Sequence, residues 1–120
     1  MPGGFISPSL LNFDDYKSLL FLLREWKHSR EEERDSIVIY RPSSSRYFPP
    51  TRFRETIEFF KDGEFKYLNI GAGDAHYFMY GAWALSKTDS SIIMLVYSQE
   101  KKVKIKLVEL NDNILSYVVL

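Results

Sequence analysis

The 120-residue sequence contains no cysteine and only two histidines. The lack of cysteine excludes a disulfide scaffold, a thiol nucleophile and a thiolate metal site. Two histidines leave little room for a zinc site without cysteine, so we predict neither a metal nor a cofactor. A chain without cysteine also fits a reducing compartment, and the cytoplasm is the expected location.

The sequence carries no net charge, and its first apolar run is short. Sixteen basic and sixteen acidic residues cancel, which gives no electrostatic basis for binding nucleic acid or an anionic membrane. The first six residues lack a basic region, and the apolar run Leu19–Leu23 is too short for a secretory signal or a membrane span. We therefore expect no nucleic-acid partner, no membrane partner and no secretory signal.

Aromatic residues, by contrast, are plentiful. They make up 16% of the chain, which suits a β-rich fold. The apolar share of 45% and the charged share of 27% are ordinary for a soluble globular protein. Because 120 residues fit one hydrophobic core, we predict a single domain over residues 1–120.

The stretch Phe53–Ile70 predicts a β-hairpin around the Asp62-Gly63 turn, because glycine takes positive φ without steric cost. A two-residue turn would place Phe59 opposite Lys66. A three-residue loop, with Gly63 in the left-handed conformation, pairs apolar side chains and pairs opposite charges. We predict this second register, in which the facing pairs are Phe59–Phe65, Ile57–Tyr67 and Glu58–Lys66.

The predicted register isolates one polar pair on the apolar face of the hairpin. It places Glu55 opposite Asn69, on the face that also carries Ile57 and Tyr67. A polar pair in that position indicates a lined cavity. A hydrated barrel end or a frayed edge is the alternative interpretation.

The N-terminal third of the chain predicts a helix. Residues 1–8 are an irregular lead-in, and the spacing of the apolar side chains predicts a helix over about 10–20 with Asn12 as its N-cap. Residues 22–33 continue that helix or begin the first strand. We choose a strand over about 23–32, because Trp26 at the start of a β-meander is a familiar pattern.

The rest of the chain predicts strands separated by turn signals. Beyond the hairpin strands at about 53–60 and 64–70, they lie at about 36–41, 76–85, 91–97, 103–107 and 114–120, with a Pro- and Ser-rich loop at 42–51 and a turn at 71–75. About eight strands with short turns predict an all-β fold, either an antiparallel barrel or a sandwich. Short connections favour simple up-and-down order. We expect an up-and-down barrel over residues 23–120, with the N-terminal helix over one mouth or one sheet edge.

Several motifs follow a familiar order along the chain. A leading helix precedes Trp26, and a middle strand contains Gly81-x-Trp83. Between them stand Tyr40-Arg41-Pro42, Phe48-Pro-Pro-x-Arg52-x-Arg54 and Ile57-x-Phe59-x-x-Asp62-Gly63-x-Phe65. The pattern resembles the small lipocalin-like barrels of the calycin superfamily, most of them uncharacterised bacterial domains, and covers most of residues 22–120.

The resemblance implies an eight-stranded barrel whose interior binds a small molecule. Two features depart from it. The first strand reads Arg24-Glu25-Trp26 where these barrels usually have Gly-x-Trp, and the last strand has no Arg to pack over that Trp. The resemblance therefore supports the barrel more than it supports ligand transport.

Three arginines, Arg41, Arg52 and Arg54, cluster around the Pro-rich loop. They could clamp a carboxylate or phosphate, since a guanidinium offers a bidentate fork. The simpler interpretation is that they form structural ion pairs with Glu55, Glu58 or Asp74. His76 begins a strand as the single haem-binding His of nitrobindin-like barrels does, but one His without a supporting motif does not predict haem. Glu55 is the one carboxylate that the register nominates for acid–base chemistry.

These features predict binding of a small, mostly apolar or weakly acidic ligand in the barrel interior. The alternative is a protein-interaction or structural module with a self-filled barrel, which predicts a protein partner or a homodimer through an edge strand. A barrel enzyme using Glu55 or His76 is a distant third, and we predict no catalytic residue. The candidate ligand-binding residues are Arg41, Arg52, Arg54, Glu55, Tyr67, Asn69, His76 and Trp83.

Overall fold

The computed structural model describes residues 4–45, 48, 54–70 and 76–120, and the side chains of residues 69, 70 and 76 lie outside this description. The described residues form nine strands, in close agreement with the alternating pattern of the sequence. They are β1 (Phe5–Ile6), β2 (Glu25–His28), β3 (Val38–Pro42), β4 (Thr56–Phe59), β5 (Glu64–Ile70), β6 (His76–Ser86), β7 (Ile92–Val96), β8 (Lys102–Leu110) and β9 (Leu115–Val119).

Strands β2 to β9 form one closed antiparallel barrel. Its order is β2-β3-β9-β8-β7-β6-β5-β4, and β4 pairs with β2 to close the ring. The short β1 lies outside this ring and pairs with the last residues of β6. The predicted all-β fold and the predicted eight-stranded antiparallel barrel are therefore confirmed.

The prediction of simple up-and-down order is wrong at one place. β2 lies between β3 and β4 and pairs with both, so β3 and β4 are not neighbours. The connection from β3 to β4, residues 43–55, is the longest one between consecutive strands of the barrel. Short connections favour neighbouring strands, so that preference does not apply to this one.

The central hairpin has the predicted register. Ile57 faces Tyr67, Glu58 faces Lys66 and Phe59 faces Phe65. Gly63 has φ +97°, which is the left-handed conformation that the three-residue loop requires. The register therefore follows from the turn. β4 begins at Thr56, so the predicted Glu55–Asn69 pair lies beyond the paired residues.

The predicted helix over 10–20 is wrong in type. This segment forms separate 3-10 turns at Pro8–Leu10, Phe13–Asp15 and Lys17–Leu22. The buried side chains of Phe13, Leu19 and Leu22 are separated by six and by three residues, and this spacing matches the three residues per turn of a 3-10 helix. So short a segment has little helical stability of its own, and packing against the barrel decides its form. In the described ranges, no helix has the length and apolar character needed to cross a membrane.

The predicted N-cap at Asn12 and the predicted strand after the N-terminal segment are confirmed in part. The side chain of Asn12 accepts a hydrogen bond from the amide of Asp14 at 3.1 Å, so Asn12 is the predicted N-cap. The choice of strand over helix for 23–32 is correct for Glu25–His28, and a 3-10 turn at Arg30–Glu32 follows. The Pro-rich loop lies only partly, and the 71–75 turn not at all, within the described residues.

One end of the barrel is filled by its own side chains. Trp26, Phe65 and Trp83 are almost completely buried there. The indole of Trp26 donates to the carbonyl of Leu22 at 3.1 Å, and that of Trp83 donates to the carbonyl of Phe60 at 2.9 Å. The N-terminal turns pack against this end, which we call the closed end.

We expect Gly63→Ala to lower the free energy of unfolding by about 1–3 kcal/mol, because its φ of +97° strains any residue with a Cβ. The new Cβ would also lie 2.9 Å from Ser7 Oγ and 3.2 Å from Pro8 Cδ. Urea denaturation measures the change. Gly4→Ala is the control, since nothing lies within 4 Å of a Cβ there. Equal effects of the two substitutions would contradict the assigned role of Gly63.

Candidate functional site

A pocket of about 310 Å³ opens at the end of the barrel opposite the N-terminal turns, which we call the mouth. It lies where β4 begins, where β5 leaves the β4 ladder, and beside the turn between β7 and β8. Its lining residues are Tyr40, Glu55, Thr56, Ile57, Tyr67, Leu68, Tyr97 and Lys101.

Three tyrosines line the pocket and a fourth, Tyr117, stacks on one of them; we call Tyr40, Tyr67, Tyr97 and Tyr117 the tyrosine cluster. The rings of Tyr67 and Tyr97 meet edge to face, with centroids 4.9 Å apart and planes at 79°. Tyr40 and Tyr117 stack with centroids 6.1 Å apart. Phe65 lies below, 5.2 Å from Tyr97. Strand alternation turns these rings inward, because each shares a face with buried residues of its own strand.

Three phenols of the cluster, those of Tyr40, Tyr97 and Tyr117, have raised pKa values. Burial raises the pKa of Tyr40 and of Tyr117 well above the ordinary value, and burial raises the pKa of Tyr97 to about 12. The nearby charge of Glu55 further raises the pKa of all three phenols. The side chains of Tyr40 and Tyr117 also hydrogen-bond to each other.

Two charged side chains stand at the rim of the pocket. The side chain of Glu55 is 60% exposed, and its Oε2 lies 3.7 Å from Nδ1 of His28. Across the mouth, Nζ of Lys101 lies 4.9 Å from the ring centroid of Tyr97. The pocket thus combines one carboxylate, one ammonium and several aromatic faces.

His28 supports the wall of the pocket from behind. Its ring stacks on Tyr40 with centroids 5.0 Å apart, and its Nε2 lies 2.5 Å from Oε2 of Glu33. The same Glu33 oxygen accepts the amide hydrogen of Ile39 at 2.9 Å. Nδ1 of His28 is buried without a hydrogen-bond partner and faces Glu55. The imidazole therefore lies between the carboxylates of Glu33 and Glu55.

Of the eight predicted site residues, the structure brings Glu55 and Tyr67 into the pocket. Trp83 lies at the closed end and does not line it. Asn69 pairs with Tyr77 and His76 pairs with Ile70 in the β5–β6 ladder, and their side chains lie outside the description. Arg52 lies outside the described residues.

The predicted arginine clamp is corrected. Arg41 pairs with Glu32, with Nη2 at 2.7 Å from Oε1. The buried guanidinium of Arg54 donates to both oxygens of Glu31. Both arginines thus form the structural ion pairs of the simpler interpretation, although with different partners from those predicted. The turn Arg30–Glu32 brings these glutamates to them, and a non-local contact of this kind has no signal in the sequence.

Sequence reasoning did not nominate Tyr40, Lys101 or His28 for the site. A signal existed for His28, because it stands two residues after Trp26 in β2 and a strand places such residues on one face. Tyr97 and Tyr117 carried a signal as inward-facing aromatics. Lys101 carried none, since its position depends on the turn between β7 and β8.

No family model, curated protein or solved structure matches the chain. Among the residues that the structure describes, no group of three or more His, Cys, Asp and Glu is placed to hold a metal ion. The fold and the pocket define the class of protein: an eight-stranded antiparallel β-barrel with one filled end and one open mouth.

We expect the Glu31–Arg54 pair to stabilise the protein in a pH-dependent way. The hydrogen bonds from Arg54 lower the pKa of Glu31 from 4.5 to about 2. Because this folded-state pKa is depressed, the contribution is complete above pH 4.5 and is lost as the pH falls towards about 2. Glu31→Gln should therefore lower the urea midpoint at pH 7, and its difference from the native protein should shrink between pH 4.5 and 2.

Glu109→Gln is the matched control, because Glu109 is exposed on β8, and it should change the midpoint little at any pH. A difference between Glu31→Gln and the native protein that does not vary with pH would show that the pair makes no such contribution.

Proposed function

We propose that the protein binds a small, mostly apolar molecule at the mouth of its barrel. The observation that carries this proposal is the pocket of about 310 Å³, whose lining includes the rings of Tyr40, Tyr67 and Tyr97. Its volume is at the lower end of the range of about 300–1,000 Å³ that small-molecule sites occupy. The ligand would therefore be small, and it would occupy only the mouth, because Trp26, Phe59 and Trp83 fill the closed end.

Binding would follow from burial of apolar ligand surface against these rings. Ile57 and the faces of Tyr67 and Tyr97 supply that surface. The tyrosine hydroxyls, Glu55 and Lys101 would set the orientation of the ligand through a few polar contacts. The acidic ligand group expected near the arginines is no longer part of the proposal, because Arg41 and Arg54 are engaged by glutamates.

The lipocalin-like assignment also belongs to this proposal. Eight antiparallel strands, ring closure and a Trp at the start of the first barrel strand support it. The position of β2 between β3 and β4 is a departure from the up-and-down order that we expected. Ligand binding at the mouth stands on the pocket itself and not on this assignment.

The proposal is tested with 2-naphthol as a neutral apolar probe, by calorimetric titration of the native protein and two variants. Tyr97→Ala removes one wall, and losing the contact of a large apolar side chain costs about 1.5–3 kcal/mol. We therefore expect Kd to rise by roughly ten- to a hundredfold. Tyr80→Ala is the matched control, because Tyr80 is 57% exposed on β6 and does not line the pocket.

Equal affinities of both variants would show that the probe does not use the mouth. Native mass spectrometry of protein purified from its own host gives an independent reading. A retained small molecule that Tyr97→Ala loses and Tyr80→Ala keeps would support the proposal.

A second candidate function is a protein-interaction module, and β6 favours it. Tyr77, Phe78, Met79 and Tyr80 are consecutive and each is at least 37% exposed. They lie before Ala82, where the pairing of β6 with β7 begins. Side chains alternate along a strand, so Phe78 and Tyr80 share one face of β6, where Lys66 lies over the ring of Phe78. Exposed apolar side chains that share a face are typical of a contact surface.

If this surface joins two copies of the chain, Phe78→Glu should convert a dimer into a monomer, because it places a charge in the contact. Sedimentation velocity at several protein concentrations measures the association. Val108→Glu is the control, since Val108 is 50% exposed on β8, away from this row. A native protein that sediments as a monomer at every concentration would contradict the dimer.

A further inference from the structure

Glu55 is the acidic residue among the described residues that line the mouth. Its Oε2 lies 3.7 Å from His28 Nδ1, and His28 stacks on Tyr40, so the carboxylate stands beside the tyrosine cluster. Three phenols respond to it, because its charge raises the pKa of Tyr40, Tyr97 and Tyr117. A molecule entering the pocket therefore meets a negative charge next to aromatic rings.

The rings beside Glu55 present faces of the kind that attract cations. Tyr67 and Tyr97 meet at 79° and form a corner. A cation within about 6 Å of a ring centroid is attracted to the negative face of the ring. The chain already provides an example, because Nζ of Lys101 lies 4.9 Å from the centroid of Tyr97. An ammonium group therefore has room over this ring.

We propose that the pocket selects a small organic amine, whose apolar body packs in the tyrosine corner and whose ammonium group pairs with Glu55. This inference rests on the proposed small-molecule function and adds the class of ligand to it. The ammonium of the ligand would take the place of Lys101 over Tyr97. Lys101 is exposed and lies in a turn, so its side chain can move aside into water.

A ligand with an acidic group fits the pocket less well. Lys101 is the one cation among the described residues that line it, and its ammonium is already placed over a ring. Arg41 and Arg54 are paired with Glu32 and Glu31. A carboxylate in the mouth would face Glu55 at short range, which is a repulsive arrangement of like charges.

Three probes with one skeleton test the class of ligand. They are 2-phenylethylamine, which is cationic at pH 7, the neutral 2-phenylethanol and the anionic phenylacetate. We expect the amine to bind about tenfold tighter than the alcohol, and the anion to bind more weakly than both, in calorimetric titrations at low salt. Equal affinities, or tighter binding of the anion, would overturn the inference while the proposed function stands. If none of the three binds, both fail.

Two charge variants give opposite expectations. Glu55→Gln should weaken the amine by about tenfold and leave the alcohol nearly unchanged, because only the charge pairing is lost. Lys101→Met should strengthen the amine several-fold, because it removes both the repulsion and the competing ammonium. If the pocket instead served an anion, Lys101→Met would weaken phenylacetate and would not strengthen the amine.

The control for both variants is Glu109→Gln, which removes one exposed carboxylate far along β8 from the mouth. It should leave all three affinities unchanged. A loss of amine binding in Glu109→Gln equal to that in Glu55→Gln would mean that net charge, and not the pocket, controls binding.

Discussion

The structure depends on one local constraint, the left-handed conformation of Gly63. It fixes the three-residue loop of the central hairpin, and the loop fixes which side chains face each other across β4 and β5. A shift of one residue would turn Phe65 and Tyr67 out of the barrel. The same glycine is held from both sides, because its carbonyl accepts the amide of Trp83 at 2.8 Å and the N-terminal turns lie against it.

From that register follows the division of the barrel into a filled end and an open mouth. Phe59 meets Trp83 edge to face at 5.5 Å at the closed end, whereas Tyr67, two residues beyond Phe65, reaches the mouth. The last strand, β9, has no Arg that could pack over Trp26. Here Arg24 does so from the same segment, with its guanidinium carbon 5.4 Å from the indole centroid.

Local patterns predicted the strands, the hairpin register and the polar exception Glu55, because alternation and turn chemistry act between near neighbours in sequence. The predictions that were wrong concern contacts between residues that are far apart in the sequence. The place of β2 between β3 and β4 requires pairing of β2 with β4, which lies far from it in the sequence, and the partners of Arg41 and Arg54 depend on the turn Arg30–Glu32. The 3-10 turns of the N-terminal segment likewise depend on packing against the barrel, which intrinsic propensity does not encode.

The position of Glu55 explains how a carboxylate can stand on an apolar face at all. Deeper in the barrel, an ionised group would need a partner to offset the loss of its hydration. At the mouth, β4 is just beginning: the carbonyl of Glu55 accepts the amide of His28 at 2.8 Å, while its side chain remains 60% exposed. Water therefore solvates the charge of this carboxylate. The boundary between the strand and the loop thus allows the pocket to carry a charge without weakening the core.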